Sequence, residues 1–321
     1  MKDGFIKVAA CTPEIRVADC LYNTERILEM AAAADAEDVK ICVFPELCIT
    51  GYTCQDLFYQ DTLLDGAMRS CLKIADETRT YDMLIAVGLP VKARGKIYNC
   101  AAVIRHGKIL AFVPKTHLPN YNEFYEVRHF AAYDGEPEWI DIPETDEGAV
   151  LAQTVFACEN IPELKIGFEI CEDLWVADPV SNHLAKQGAT LICNLSASNE
   201  VIGKEQYRRQ LVSNQSARLV AGYVYCSAGN GESTQDMVFS GHNIIAENGE
   251  ILAESRLFEN GMTVSEIDLK RLSFERRKMS TYPQSAPLGN EDNFCTADFR
   301  LEICDTKLTR RLAKTPFIPS N

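Results

Sequence analysis

Positive charge is what this sequence has least of: 32 Lys and Arg stand against 46 Asp and Glu, for a net charge of −14. A surface of that sign repels phosphate backbones and anionic lipid, which argues against nonspecific nucleic-acid binding and electrostatic membrane attachment. No stretch reaches the roughly 18 uninterrupted apolar residues that read as a membrane-crossing helix. Met1–Val8 has no basic segment followed by an apolar one, so no secretory signal is visible. Histidine is scarce as well: the five are scattered without ligand-like pairing, and no C-x-x-C pair occurs. Zinc is therefore a weak alternative, and no metal site is expected. Internal repeats and low-complexity segments are absent too.

Cysteine, by contrast, is abundant. The thirteen cysteines form an odd count and fall inside hydrophobic runs, as at Cys42, Cys100, Cys193 and Cys226. A reduced cysteine in such a run behaves as a small apolar core residue. This pattern points to a reducing cytoplasm and no disulfide framework. With 46% hydrophobic and 24% charged residues in 321, the chain has an ordinary globular composition. It is long enough to bury one large α/β core or two smaller ones.

Compact apolar runs bounded by Gly, Pro, Asn or charge occur at Ile41–Phe44, Met83–Val87, Cys100–Ile104, Leu164–Phe168, Ala189–Cys193 and Gly222–Cys226. They predict buried strands. Ala18–Ala36, Asp61–Arg79 and Lys204–Val220 carry apolar residues about three to four apart and predict helices. Two hairpins are predicted: Asn99–Ile104 with Ile109–Val113, and Asn243–Ala246 with Glu250–Ala253 around Asn248-Gly249, a pair favoured in type I′ turns. Hairpins within a strand–helix alternation imply mixed sheets. Two such sheets face to face, with helices outside, would bury strands that are apolar on both sides. The final Thr315–Asn321, with two prolines, reads equally as the start of a linker or as an ordinary frayed end.

Three chemical groups follow predicted strands. Glu46 comes after Val43-Phe44-Pro45, Lys115 after Phe112-Val113-Pro114, and Cys171 after Gly167-Phe168-Glu169-Ile170. Groups at the C-terminal ends of neighbouring strands converge on one rim of a sheet. Cys171 alone is a weak signal among so many cysteines, and its acidic neighbours Glu172 and Asp173 raise a thiol pKa unless a cation is near. The set of three is coherent. Glu46 as base takes the thiol proton and returns it to departing ammonia, while Lys115 favours the thiolate and an oxyanion. A Cys–His arrangement is the competing reading, but none of His106, His117, His129, His183 and His242 carries a signature of a triad base.

At these residues the chain resembles the nitrilase superfamily of carbon–nitrogen hydrolases, whose Glu, Lys and Cys motifs match Phe44-Pro45-Glu46-Leu47 with Gly51-Tyr52, Pro114-Lys115, and Cys171-Glu172-Asp173. The resemblance implies an α/β fold, the nitrilase-like four-layer α-β-β-α sandwich. It places a second glutamate, which orients the lysine and the leaving group, on Glu123. The longer strings Pro114–Tyr121, Glu123–Glu126, Tyr207-Arg208-Arg209, Asn214–Arg218 and Gly231–Thr234 are similar to the glutaminase domain of the glutamine-dependent NAD+ synthetases.

That closer resemblance implies a cysteine amidohydrolase acting on L-glutamine, with Tyr52, Tyr121, Glu172, Trp175 and Ser198 lining the substrate pocket. It implies a backbone amide beside Cys171 in the oxyanion site, no metal or organic cofactor for this half-reaction, and ATP only at a synthetase domain. A zwitterionic substrate needs an anion for its ammonium, which Glu172 suits. Ser198, Lys204, Arg208 or Arg209 is open as the partner of its carboxylate. The synthetase's phosphate-loop string does not occur here. The expected organisation is thus a carbon–nitrogen hydrolase domain over 1–312 and the start of a linker over 313–321, with the synthetase domain as partner and a homo-oligomer by analogy. The alternatives are a freestanding amidase, nitrilase or carbamoylase, and a non-catalytic assembly module.

Overall fold

The computed structural model describes residues 3–143, 145, 147–282, 294–310 and 312. The proposed linker at 313–321 lies outside them. Among the described residues, fifteen strands form two sheets. The strands of the first half are β1 (Phe5–Thr12), β2 (Ile41–Val43), β3 (Leu84–Ala93), β4 (Lys96–Arg105), β5 (Lys108–Pro114), β6 (Glu138–Asp141) and β7 (Gly148–Leu151). Those of the second are β8 (Thr154–Cys158), β9 (Lys165–Ile170), β10 (Leu191–Ser196), β11 (Gly222–Ser227), β12 (Ile244–Glu247), β13 (Glu250–Glu254), β14 (Gly261–Asp268) and β15 (Cys295–Phe299). The first sheet runs β14-β1-β2-β3-β4-β5-β7-β6 and the second β13-β12-β11-β10-β9-β8-β15.

Why these runs are apolar on both sides follows from alternation along each strand. Ile6, Val8 and Ala10 of β1, Ile41 and Val43 of β2, and Leu84 and Ala86 of β3 face the other sheet, where they meet Phe168, Leu191, Cys193, Leu195 and Val224. The intervening Ala9, Cys11, Cys42, Ile85 and Val87 pack against Ile27 and Ala31 of α1 (Cys20–Ala36) and Ala67, Cys71 and Ile74 of α2 (Asp61–Glu77). On the far side, Ile192, Tyr223 and Ala246 pack against Leu184 of α4 (Val180–Lys186) and Val212 and Leu219 of α5 (Lys204–Leu219). The two remaining helices are α3 (Glu126–His129) and α6 (Leu269–Lys278). The layers are α, β, β, α, as expected.

The predicted strands and helices all form, most within a few residues of their expected ends; β3 runs on to Ala93, well past the expected Val87, and β4 begins at Lys96, ahead of the expected Cys100. Both hairpins are present as antiparallel pairs. Asn248 and Gly249 both take positive φ, 47° and 91°, as the type I′ turn requires. All thirteen cysteines are free, and only Cys295 and Cys304 are not buried. No helix among the described residues is long and apolar enough to cross a membrane.

Strand direction positions the site. β1, β2 and β3 are parallel, and β5 is antiparallel to β4, itself antiparallel to β3, so β2 and β5 end on the same rim. β9, β10 and β11 are parallel in the other sheet. Glu46 Oε2 accepts the Ala197 N–H at 2.7 Å, just past the end of β10, so the C-terminal rims of the two sheets meet.

Candidate active site

Glu46 and Lys115 lie at the meeting point of the two rims, and both are essentially unexposed. Lys115 Nζ donates to Glu46 Oε1 at 2.6 Å and to Glu126 Oε1 at 2.6 Å. Asn99 Nδ2 donates to the same Glu46 oxygen at 2.7 Å, and the Tyr52 hydroxyl donates to Glu126 Oε1 at 2.7 Å. One cation is thus shared by two buried carboxylates, each held by a further donor. Burial on its own would push the Lys115 ammonium down; Glu126 and Glu46 reverse that and hold it well above its usual range. Burial pushes Glu126 the other way for an acid, up to about 7, despite the lysine.

Cys171 caps this cluster. It leaves β9 with φ of +45°, rare for a residue with a side chain, and opens a single 3-10 turn over Cys171–Leu174. Asp173 makes the turn possible. Its carboxylate accepts Ile170 N at 3.1 Å, His117 N at 2.7 Å and Thr116 N at 3.1 Å, tying the cysteine turn to the segment that carries Lys115. The Cys171 N–H donates to Asn194 Oδ1 at 3.2 Å. Burial holds the thiol well above its ordinary pKa; Glu46 and Glu126 add to this and Lys115 opposes it.

Cys171 lies at the floor of a cleft of about 480 Å³ whose walls include Tyr121, Glu123, Phe124, Glu172, Trp175, Ser198, Asn199, Lys204 and Tyr207. Tyr121 donates to both Glu172 oxygens at 2.9 Å. Burial raises the Glu172 carboxyl above its usual pKa. Trp175 meets Tyr207 edge-on at 5.4 Å, and Lys204 Nζ sits 5.0 Å above the Trp175 ring. Lys204 also donates to Asn199, whose amide nitrogen in turn donates to Glu123. None of the five histidines lines this cleft, and no cluster suited to a metal occurs among the described residues.

Three expected positions differ. Glu123 was expected to orient the lysine, but it points into the cleft toward Asn199, and Glu126 is the residue on Lys115. The reason is local. A turn closes with Phe124 N on Tyr121 O at 3.0 Å, α3 then begins, and Glu126 N bonds Pro119 O at 3.2 Å, which turns Glu126 inward. Arg208 is not a cleft residue. Its guanidinium is fully buried, with both terminal nitrogens on Glu200 Oε2 at 2.9 Å and one against His242 Nδ1 at 2.7 Å. Tyr52 is not among the residues that line this cleft; its hydroxyl is committed to Glu126.

The carbon-nitrogen hydrolase family profile matches residues 7–277. The chain belongs to the carbon-nitrogen hydrolase family. Along 99% of its length this carbon-nitrogen hydrolase is 39% identical to the glutamine-dependent NAD(+) synthetase of Mycobacterium bovis, of which it covers 48%. It superposes on the crystal structure of a glutamine-dependent NAD(+) synthetase from Cytophaga hutchinsonii with a TM-score of 0.72 at 29% identity, over 82% of this chain and 42% of that one. An amidase from Nesterenkonia sp. shares the fold at 19% identity, with a TM-score of 0.65 over 87% of this chain and 98% of that one. The chain therefore spans about half the length of the synthetases it matches and nearly all of the amidase.

Proposed function

We propose that this carbon-nitrogen hydrolase is a glutaminase, the ammonia-producing part of a glutamine-dependent NAD+ synthetase. The chain-long identity to one half of such synthetases carries the reading. Glu172 and Lys204 on the walls of one cleft support it, because an α-amino acid head needs an anion for its ammonium and a cation for its carboxylate.

In the proposed reaction, Glu46 takes the proton of the Cys171 thiol as sulfur attacks the side-chain carbonyl carbon of glutamine. Negative charge develops on the carbonyl oxygen, where Lys115 and the Glu172 N–H of the turn stabilise it. The N–H of Cys171 itself is already taken by Asn194. The C–N bond breaks, Glu46 gives its proton to the leaving nitrogen, and ammonia departs from a γ-glutamyl thioester. Water then attacks the thioester with Glu46 as base, the C–S bond breaks, and Glu46 returns the proton to sulfur, releasing glutamate and regenerating the Cys171 thiol. Every proton has a donor and an acceptor among Glu46, Cys171, substrate and water, so the half-reaction as proposed needs no metal or organic cofactor.

The released ammonia would be used by a synthetase domain that binds ATP and amidates deamido-NAD, joined through the segment at 313–321. Thirteen unbridged cysteines suit a reducing cytoplasm. A homo-oligomer is the assembly expected by analogy.

Ammonia release from L-glutamine, L-asparagine, a simple aliphatic amide and a nitrile tests the reading, with Cys171→Ala as control. Glutamine-selective release that disappears in the variant is expected. Preference for the simple amide or the nitrile would instead make the chain a freestanding hydrolase.

A further inference from the structure

Glu232 is a buried carboxylate for which the proposed reaction has no use. It lies in the loop between β11 and β12 of the second sheet, yet both its oxygens accept the N–H of Tyr52, at 2.8 and 2.9 Å, in the loop that follows Glu46 in the first sheet. Its own carbonyl accepts the Thr53 hydroxyl at 2.7 Å. Gly51 Cα lies so near that an added Cβ would be 3.3 Å from Glu232 Oε2. The neighbouring Gly231 has φ of +97°, and a Cβ there would come within 1.8 Å of Ile15 O, so the backbone under Glu232 has one seat. Burying a carboxylate this completely costs stability unless its contacts matter. Its contacts lead to the site: Glu232 holds the Tyr52 backbone, the Tyr52 hydroxyl holds Glu126, and Glu126 holds Lys115 against Glu46.

We infer that Glu232 is a positioning residue, a clamp from the second sheet that sets the Tyr52 hydroxyl on Glu126 and thereby the placement of Lys115. The inference rests on the reading of Lys115 and Cys171 as the reacting groups. It separates Glu232 from residues that merely fill the core, because its effect runs through one hydroxyl.

The test is a double-mutant cycle on glutamine hydrolysis with Glu232→Ala, Tyr52→Phe and both together, kcat and KM being measured separately, and melting temperatures recorded. Glu232→Ala is expected to lower kcat about tenfold or more with KM changed less than about threefold, as for a displaced catalytic group. The double variant should be no worse than the poorer single variant within about twofold, since both changes break one chain of contacts. Glu232→Gln, which keeps the reach and an acceptor oxygen, should recover most of kcat, whereas Glu232→Asp, shorter by one methylene, should not. A folded Glu232→Ala with kcat within twofold of wild type overturns the inference, as does a cycle in which the two losses multiply. Should Glu232→Ala fail to fold, full kcat in Glu232→Asp overturns it equally. Activity surviving in Cys171→Ala would instead remove the reading beneath it, which keeps the two failures apart.

Discussion

Lys115 touches two carboxylates and has no exposure of its own. Lys115→Ala is therefore expected to lower kcat by roughly 10²–10³, the usual loss of one oxyanion donor, as steady-state ammonia release would show. Glu126 supplies a second prediction. Its carboxyl is raised by burial from the ordinary glutamate range, near 4.5, to about 7. Between those two values the folded chain keeps a proton that the unfolded chain releases, so this group's contribution to stability falls as pH rises from about 4.5 to about 7. The slope is at most about 1.4 kcal/mol per pH unit. Melting temperatures from pH 4.5 to 8, compared with Glu126→Gln, should show that portion of the slope missing in the variant. At this scale the sequence was legible where a chemical group directly follows an apolar strand, as at Glu46, Lys115 and Cys171. It was illegible where one helical turn decides, as between Glu123 and Glu126. Asn99 carried no signal, because its hold on Glu46 depends on which strands are neighbours.

Strands and helices explain why Glu46 sits so firmly. Gly88 of β3 lies under it: a Cβ there would be 2.1 Å from Leu47 N and 2.6 Å from Pro45 O. Both atoms are backbone, so Gly88→Ala must displace the Glu46 segment. A shift of about 1 Å in a catalytic group costs on the order of 10² in rate. The expected outcome is a loss of that size in kcat, checked together with circular dichroism to confirm the fold. Two-sided burial made the central strands visible in the sequence. β1 is as buried as they are, yet Lys7 breaks its apolar run, and only the fold shows Lys7 Nζ 3.8 Å from the buried Glu266 and 3.1 Å from Glu37 O. β6 and β7 are short and half-exposed, so their periodicity is weak.

The molecule as a whole is closed by the chain after β15, which returns to the first sheet. Thr309 N and Arg310 N both donate to Glu266 Oε2 at 3.1 Å, and Arg310 reaches the buried Glu247 at 2.8 Å. Leaving a buried charge with no partner costs about 3 kcal/mol or more; Glu247 also holds Arg271 at 3.4 Å and the Asp268 N–H at 2.6 Å, which makes that figure an upper bound here. Arg310→Ala should lower the unfolding free energy by less than about 3 kcal/mol in urea denaturation while leaving kcat of the folded fraction unchanged. The central claim is the covalent role of one cysteine among thirteen. Acid-quenched protein from a reaction with L-glutamine, digested and mapped by mass spectrometry, tests it most directly. A glutamyl adduct confined to the peptide that contains Cys171 is predicted; ammonia release with no adduct there, or with the adduct on another cysteine, would contradict the account.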